Sequence, residues 1–172
     1  MPSQHNTLPD LPHGELLPNG LGDDPPLPEN DPTIGARLNH SMLRIRDPRK
    51  SLHFYINLMG MRTVFATNLG PVNAWYLGYP KTSEHQSNLK KFGVETVQSL
   101  RQVEGLLELG HIKGSENQPE GYYQTGNNPP NLGFGHLGFA VPDVPALLRK
   151  LKENDVEVVK DLGEETTIES IA

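Results

Sequence analysis

LNHSMLRIRDPRKSLHFYINLMG, residues 38–60, is a strand and a helix written one after the other. In its first part Leu43 and Ile45 fall on one side of an extended chain, while His40, Met42 and Arg44 fall on the other. Asp47 suits a helix N-cap and Pro48 a first helical residue, because the cap side chain accepts an amide and proline has no amide to leave unpaired. Leu52, Tyr55, Ile56 and Met59 then recur at i, i+3, i+4 and i+7, and Gly60 stops the helix. An amphipathic strand followed by an amphipathic helix packs apolar face to apolar face. The side carrying His40, Met42 and Arg44 is thereby turned away from the helix.

The same script is written again downstream. Sliding the chain by 96 residues lays His136 on His40, Phe139 on Leu43, Val141 on Ile45, Asp143 on Asp47 and Leu148 on Leu52, without a gap. HLGFAV reads as the strand and VPALLRKLKEND as the helix, with Val144, Leu147, Leu148 and Leu151 on its stripe; VEVVK is the expected next strand. A repeat of this kind makes the opening histidines of the two units equivalent.

Between these stretches, MRTVFAT and NAWYLGY have strand character, residues 80–91 are polar, 92–104 are ambiguous, and GLLELGH is a short apolar run that fits a fourth strand. The first unit thus spans 38–112. Residues 113–131, rich in Gly, Asn and Pro, read as a connecting loop, and 132–172 as a partial second unit whose third and fourth strands have no counterpart in the chain. An unfinished unit leaves a sheet edge that another element or another chain has to cover. Residues 1–37 hold half of the sixteen prolines without any sustained period, and are expected to be a disordered arm.

Composition narrows the function. A formal charge of −6 with scattered basic residues argues against nucleic acid as a partner. No apolar run reaches membrane-spanning length, and the absence of cysteine excludes thiolate ligands, a cysteine nucleophile and disulfides, in keeping with a reducing, cytoplasmic setting. Gly133, Gly135 and Gly138 match the G-x-G-x-x-G pattern of dinucleotide sites. That pattern has to follow a strand and open a helix, whereas here it runs into a strand and the helix waits until Asp143. The glycines clear space around His136 instead.

In GLLELGH, Leu107 and Leu109 take the helix-packing side and Glu108 the other. If the strands of the two units curl together, His40, Glu108 and His136 project into one concavity. Two imidazoles and a carboxylate suit Zn²⁺, Ni²⁺, Fe²⁺ or similar ions, although separations of 68 and 28 residues are not diagnostic in themselves. His111 is near Glu108 in the chain but has no pattern to support it.

NHSMLRIRDPRKSLHFYINLMGM, LELGH and GNNPPNLGFGHLGFAVPDV together resemble the glyoxalase I family of the vicinal oxygen chelate superfamily over about residues 38–160. The resemblance implies an α+β fold of paired β-α-β-β-β units, the second incomplete here, forming a cupped sheet around one divalent ion, Zn or Ni above all, at the interface of a homodimer. It assigns His40, Glu108 and His136 as metal ligands, Glu108 as the catalytic carboxylate, and Arg44 as a contact for the glutathione part of the substrate. It also implies a reaction: a lyase converts the methylglyoxal–glutathione hemithioacetal to lactoylglutathione, the ion polarising the substrate oxygens while a carboxylate moves a carbon-bound proton. Three departures stand beside it. Glu169 is the only late carboxylate that could replace the family's fourth ligand, and Ile112 and Leu132 stand where the family usually has an asparagine and an arginine for glutathione. A member of the superfamily acting on another small oxygenated compound, or a truncated homologue without activity, are the alternatives.

Overall fold

The computed structural model describes residues 11–18, 20 and 24–165. The chain divides into two units, 1–36 and 37–172. In the first, the described residues form turns, among them one in which the Asp31 carboxylate accepts the amide of Thr33 at 2.8 Å.

The second unit opens with β1 (His40–Ile45) and α1 (Pro48–Leu52), which runs on as a π-helical turn (His53–Leu58). β2 (Arg62–Asn68) and β3 (Val72–Gly78) follow, then α2 (Ser83–Ser87), α3 (Leu89–Gln98) and β4 (Leu106–Ile112). The four strands make one sheet in the order β1-β4-β3-β2, with β1 parallel to β4 and the other pairs antiparallel. This is a complete β-α-β-β-β unit with a helical pair inserted before its last strand.

The helix begins as its sequence dictates: the Asp47 carboxylate caps it by accepting the Arg49 amide at 2.9 Å, Pro48 enters the first turn, and Gly60 leaves it at φ +80°. Its second half departs from the α-helical stripe. The Met59 amide reaches back five residues to the Phe54 carbonyl, and this wider turn rotates Leu58 inward, so that Leu58 and not Met59 is buried. Leu52, Tyr55 and Ile56 keep their inward face and pack on Ile45, Met61, Leu77, Leu107 and Leu109. Two fully buried leucines, Leu77 and Leu109, sit at the centre of this layer. A second cluster, Val64, Phe92 and Leu106, seats α3 against one end of the opposite face. The polar stretch 80–91 and the ambiguous stretch 92–104 therefore resolve into helices, with Thr82 and Asn88 as N-caps.

The second repeat is only partly realised. α4 (Val144–Lys152) forms where the pattern puts it, with Asp143 accepting the Ala146 amide at 2.8 Å. Lys150 donates to the carbonyls of Asn57 and Leu58 at 2.8 and 2.7 Å, satisfying the end of the π-helical turn and tying α4 to it. HLGFAV, by contrast, makes no strand ladder, and VEVVK forms no strand. Alternation gives such a segment a preferred face, but a strand also needs backbone partners, and no further strand of the described second-unit residues flanks it. Leu137 and Phe139 nevertheless find the predicted apolar face and pack on the core beside Leu43 and Tyr55. The connecting loop carries a short hairpin, β5 (Asn127–Asn128) and β6 (Asn131–Leu132), immediately before the glycines.

Candidate active site

Strand register brings the polar groups together. Pairing sets Met42 beside Glu108 and Glu108 beside Tyr76, while a bulge between Thr63 and Phe65 sets Phe65 beside Tyr76. These four residues form one row across the face of the sheet opposite α1, beside the end that α3 covers, and His40 stands in the next row of β1. Phe65 stacks on the Tyr76 ring at 4.2 Å between centroids, and the edge of His40 meets Tyr76 at 5.2 Å. Gly110, two residues beyond Glu108, keeps the floor low: a Cβ there would meet the Met42 sulfur at 3.4 Å.

The decisive distance is between His40 Nε2 and Glu108 Oε2, 3.4 Å apart. The other ring nitrogen, Nδ1, lies 2.8 Å from the Asn39 side-chain oxygen. With Nδ1 protonated and the ring neutral, two lone pairs face one another across that gap, and only a proton or a cation between them makes the arrangement favourable. Tetrahedral ligands held at about 2.1 Å from a divalent ion are themselves separated by about 3.4 Å. In donor type and spacing, His40 and Glu108 fit two ligands of such an ion. The Tyr76 hydroxyl donates to Glu108 Oε2 at 2.7 Å. Burial first, and then this hydrogen bond and the carboxylate charge, push the Tyr76 phenol up to about 12, so it keeps the proton it gives to Glu108.

The remaining expected residues are distributed differently. His136 is exposed on the unpaired segment, and among the described residues no three His, Asp or Glu side chains of the chain converge. Glu169 lies outside the described residues. Arg44 is exposed on the same face of β1 as His40 and lines a cavity of about 680 Å³ with Met42, Tyr55, Tyr122 and Phe134. Neither His40 nor Glu108 lines that cavity. His111 faces the opposite side of β4 from Glu108, 5 % exposed, with Nε2 at 2.8 Å from Glu116. Alternation along β4 settles this: one residue in two points to the helices, and His111 shares that parity with Leu107 and Leu109. Ile112 and Leu132 are both exposed.

Asn39 and Tyr76 were not singled out by motif. Asn39 is legible only as the neighbour of a candidate ligand, and Tyr76 becomes a partner of Glu108 only through the β3–β4 register, which no local pattern specifies.

Residues 37–169 match the Glyoxalase/Bleomycin resistance protein/Dioxygenase superfamily. The chain belongs to this superfamily. Glyoxalase I of Saccharomyces cerevisiae is 33 % identical over 125 residues, covering 70 % of this chain and 33 % of the yeast protein. Lactoylglutathione lyase of Pseudomonas aeruginosa is 34 % identical over 131 residues, covering 72 % and 68 %, and that of Schizosaccharomyces pombe is 33 % identical over 132 residues, covering 74 % and 40 %. The chain thus spans a third to two-fifths of the length of the two yeast relatives and about two-thirds of the bacterial one. As a member of the superfamily it has the expected α+β fold, with the β-α-β-β-β unit seen whole in residues 40–112. No helix among the described residues is long and apolar enough to cross a membrane.

Proposed function

We propose that the chain is a metal-dependent lyase of the glyoxalase I type, acting on the methylglyoxal–glutathione hemithioacetal. The observation that supports this most directly is the His40–Glu108 pair, an imidazole nitrogen and a carboxylate oxygen 3.4 Å apart on the open face of the sheet. His40 and Glu108 would hold a divalent ion, Zn or Ni, with His136 as a third ligand contributed by the corresponding segment of a second chain in a homodimer. When bound, the ion supplies polarisation of the substrate's oxygens. Glu108 would be the carboxylate that takes the carbon-bound proton and returns it one carbon along. Tyr76, engaging Oε2, holds that carboxylate in one orientation, and Arg44 would pair with a carboxylate of the glutathione moiety. In this reading residues 38–172 are the working domain and 1–37 an appended arm.

A second reading keeps the fold and the ion but changes the substrate to another small oxygenated compound. Its support is Ile112 and Leu132, two exposed apolar side chains where a peptide-like substrate would call for an amide and a cation; Leu132 is 64 % exposed. One purified sample tests both. Metal content near one divalent ion per site, together with metal-dependent formation of lactoylglutathione, is the expected result. Metal-free protein of unchanged stability would remove the first reading. Turnover of other substrates without any dependence on glutathione would favour the second.

A further inference from the structure

We infer that Asn39 is a positioning residue that fixes the tautomer of His40, so that Nε2 presents its lone pair toward Glu108. The identity of what Nε2 then binds rests on the function proposed above; the tautomer itself does not.

The orientation of the Asn39 amide is set by its surroundings. Two backbone carbonyls, of Leu100 and Val103, lie 2.7 and 2.9 Å from Nδ2. Carbonyl oxygens can be satisfied only by a donor, so the NH₂ end of the side chain faces them and Oδ1 faces the other way. Turning the amide over would set an oxygen against two oxygens. The backbone holds the residue as firmly, because the Leu106 amide donates to the Asn39 carbonyl at 3.0 Å and the Gly105 amide to the Leu38 carbonyl at 3.2 Å. Asn39 therefore joins the turn between α3 and β4 to the start of β1.

Oδ1 accepts and cannot donate, and it lies 2.8 Å from His40 Nδ1. The proton of a neutral His40 ring consequently resides on Nδ1. Among the described residues, Tyr76 packs T-shaped against this ring and Glu108 faces Nε2, and neither supplies a donor to Nε2: the Tyr76 hydroxyl is committed to Glu108. The result is a relay from two loop carbonyls through Asn39 to a ring whose free nitrogen faces the carboxylate. Metal-binding histidines are oriented in the same way, by giving their other N–H to an acceptor, and loss of such an acceptor costs about 10- to 100-fold in metal affinity.

Two measurements on the full chain decide the matter. In metal-free, ¹⁵N-histidine-labelled protein, with the His40 signals assigned by their loss in His40→Gln, the neutral ring should show a protonated Nδ1 and an unprotonated Nε2. The opposite tautomer would overturn the inference. In competitive zinc titrations, Asn39→Ala should lose about 10- to 100-fold in affinity. In metal-free Asn39→Ala the neutral His40 ring should lose its preference for a protonated Nδ1, because the acceptor that held that proton is gone. If Asn39 merely anchors the turn, Asn39→Ala leaves the ring tautomer unchanged; that result, or an unchanged affinity in Asn39→Ala, would overturn the inference while leaving the metal site standing. Wild-type protein that binds no zinc overturns the functional reading and the metal role of Asn39 with it, whereas the ring-nitrogen measurement, made without metal, still reads the tautomer.

Discussion

Tyr76 and Glu108 face one another across the β3–β4 pairing, and the phenol donates to the carboxylate at 2.7 Å while Phe65 stacks on its ring. The stack fixes the ring and the hydrogen bond fixes the carboxylate, so the candidate base is held by an aromatic pair that contributes no ligand itself.

Tyr76→Phe keeps the stack and removes only the donor. A hydrogen bond to a charged group contributes about 1.5–3 kcal/mol, less where water can substitute, and the Glu108 side chain is 18 % exposed. We expect unfolding free energy to fall by about 1 kcal/mol. Turnover should fall with little change in KM, because the substrate-contacting groups are untouched. Urea unfolding and steady-state kinetics on the same preparation check both; equal kcat in the two proteins would exclude a positioning role.

Glu108→Gln and His136→Ala should each abolish metal retention, one from each half of the proposed site. If the site is shared between chains, mixing the two inactive variants under conditions that exchange subunits restores one intact site per heterodimer. Recovery of partial activity and metal content is the expected outcome. Failure to recover either, with exchange demonstrated, would mean that both residues serve a site within one chain.

Acid should loosen the turn after β4 through Glu116. Its carboxyl is held below the ordinary 4.5 by its own backbone amide first, then by His111 and by the Gly114 amide, which donates at 2.9 Å. A carboxyl depressed in the folded state stabilises it above the unfolded value, and that contribution disappears as pH falls below about 4.5 through the lower folded value. The stability of wild type should therefore drop more steeply below pH 4.5 than that of Glu116→Gln. Parallel pH profiles of thermal midpoint for the two proteins would show that the pairing contributes nothing.

Gly93 tests packing against propensity. In an exposed helix interior, Gly→Ala gains about 1 kcal/mol. At residue 93 a Cβ would come within 2.7 Å of the Val64 carbonyl oxygen, a backbone atom of β2 that cannot swing away. Gly93→Ala should therefore lower stability, by about 1–3 kcal/mol as for other overpacked sites. A rise in the urea midpoint would show that α3 can lift off the sheet at no cost.

The local script of each unit is legible in its residues alone. Alternation in HSMLRI and LLELGH fixed which residues face the helix, because side chains on a strand alternate whatever their neighbours; Leu109 inward and Glu108 outward follow from that alone. Capping chemistry fixed both helix starts, since Asp47 and Asp143 find their amides two or three residues away in the chain. The shift of 96 residues marked the duplication, and with it the equivalence of His136 and His40 in the two units. What local pattern could not contain is anything that depends on how strands line up. The partnership of Glu108 with Tyr76 is set by contacts between segments distant in the chain, and so is the orientation of the Asn39 amide toward His40, which the Leu100 and Val103 carbonyls impose. Register between strands is a tertiary quantity, fixed by burial of a whole face and not by any one residue. The candidate site is made of that register: His40 and Glu108 are 68 residues apart in the chain and 3.4 Å apart in space because β1 and β4 pair in parallel with Met42 beside Glu108.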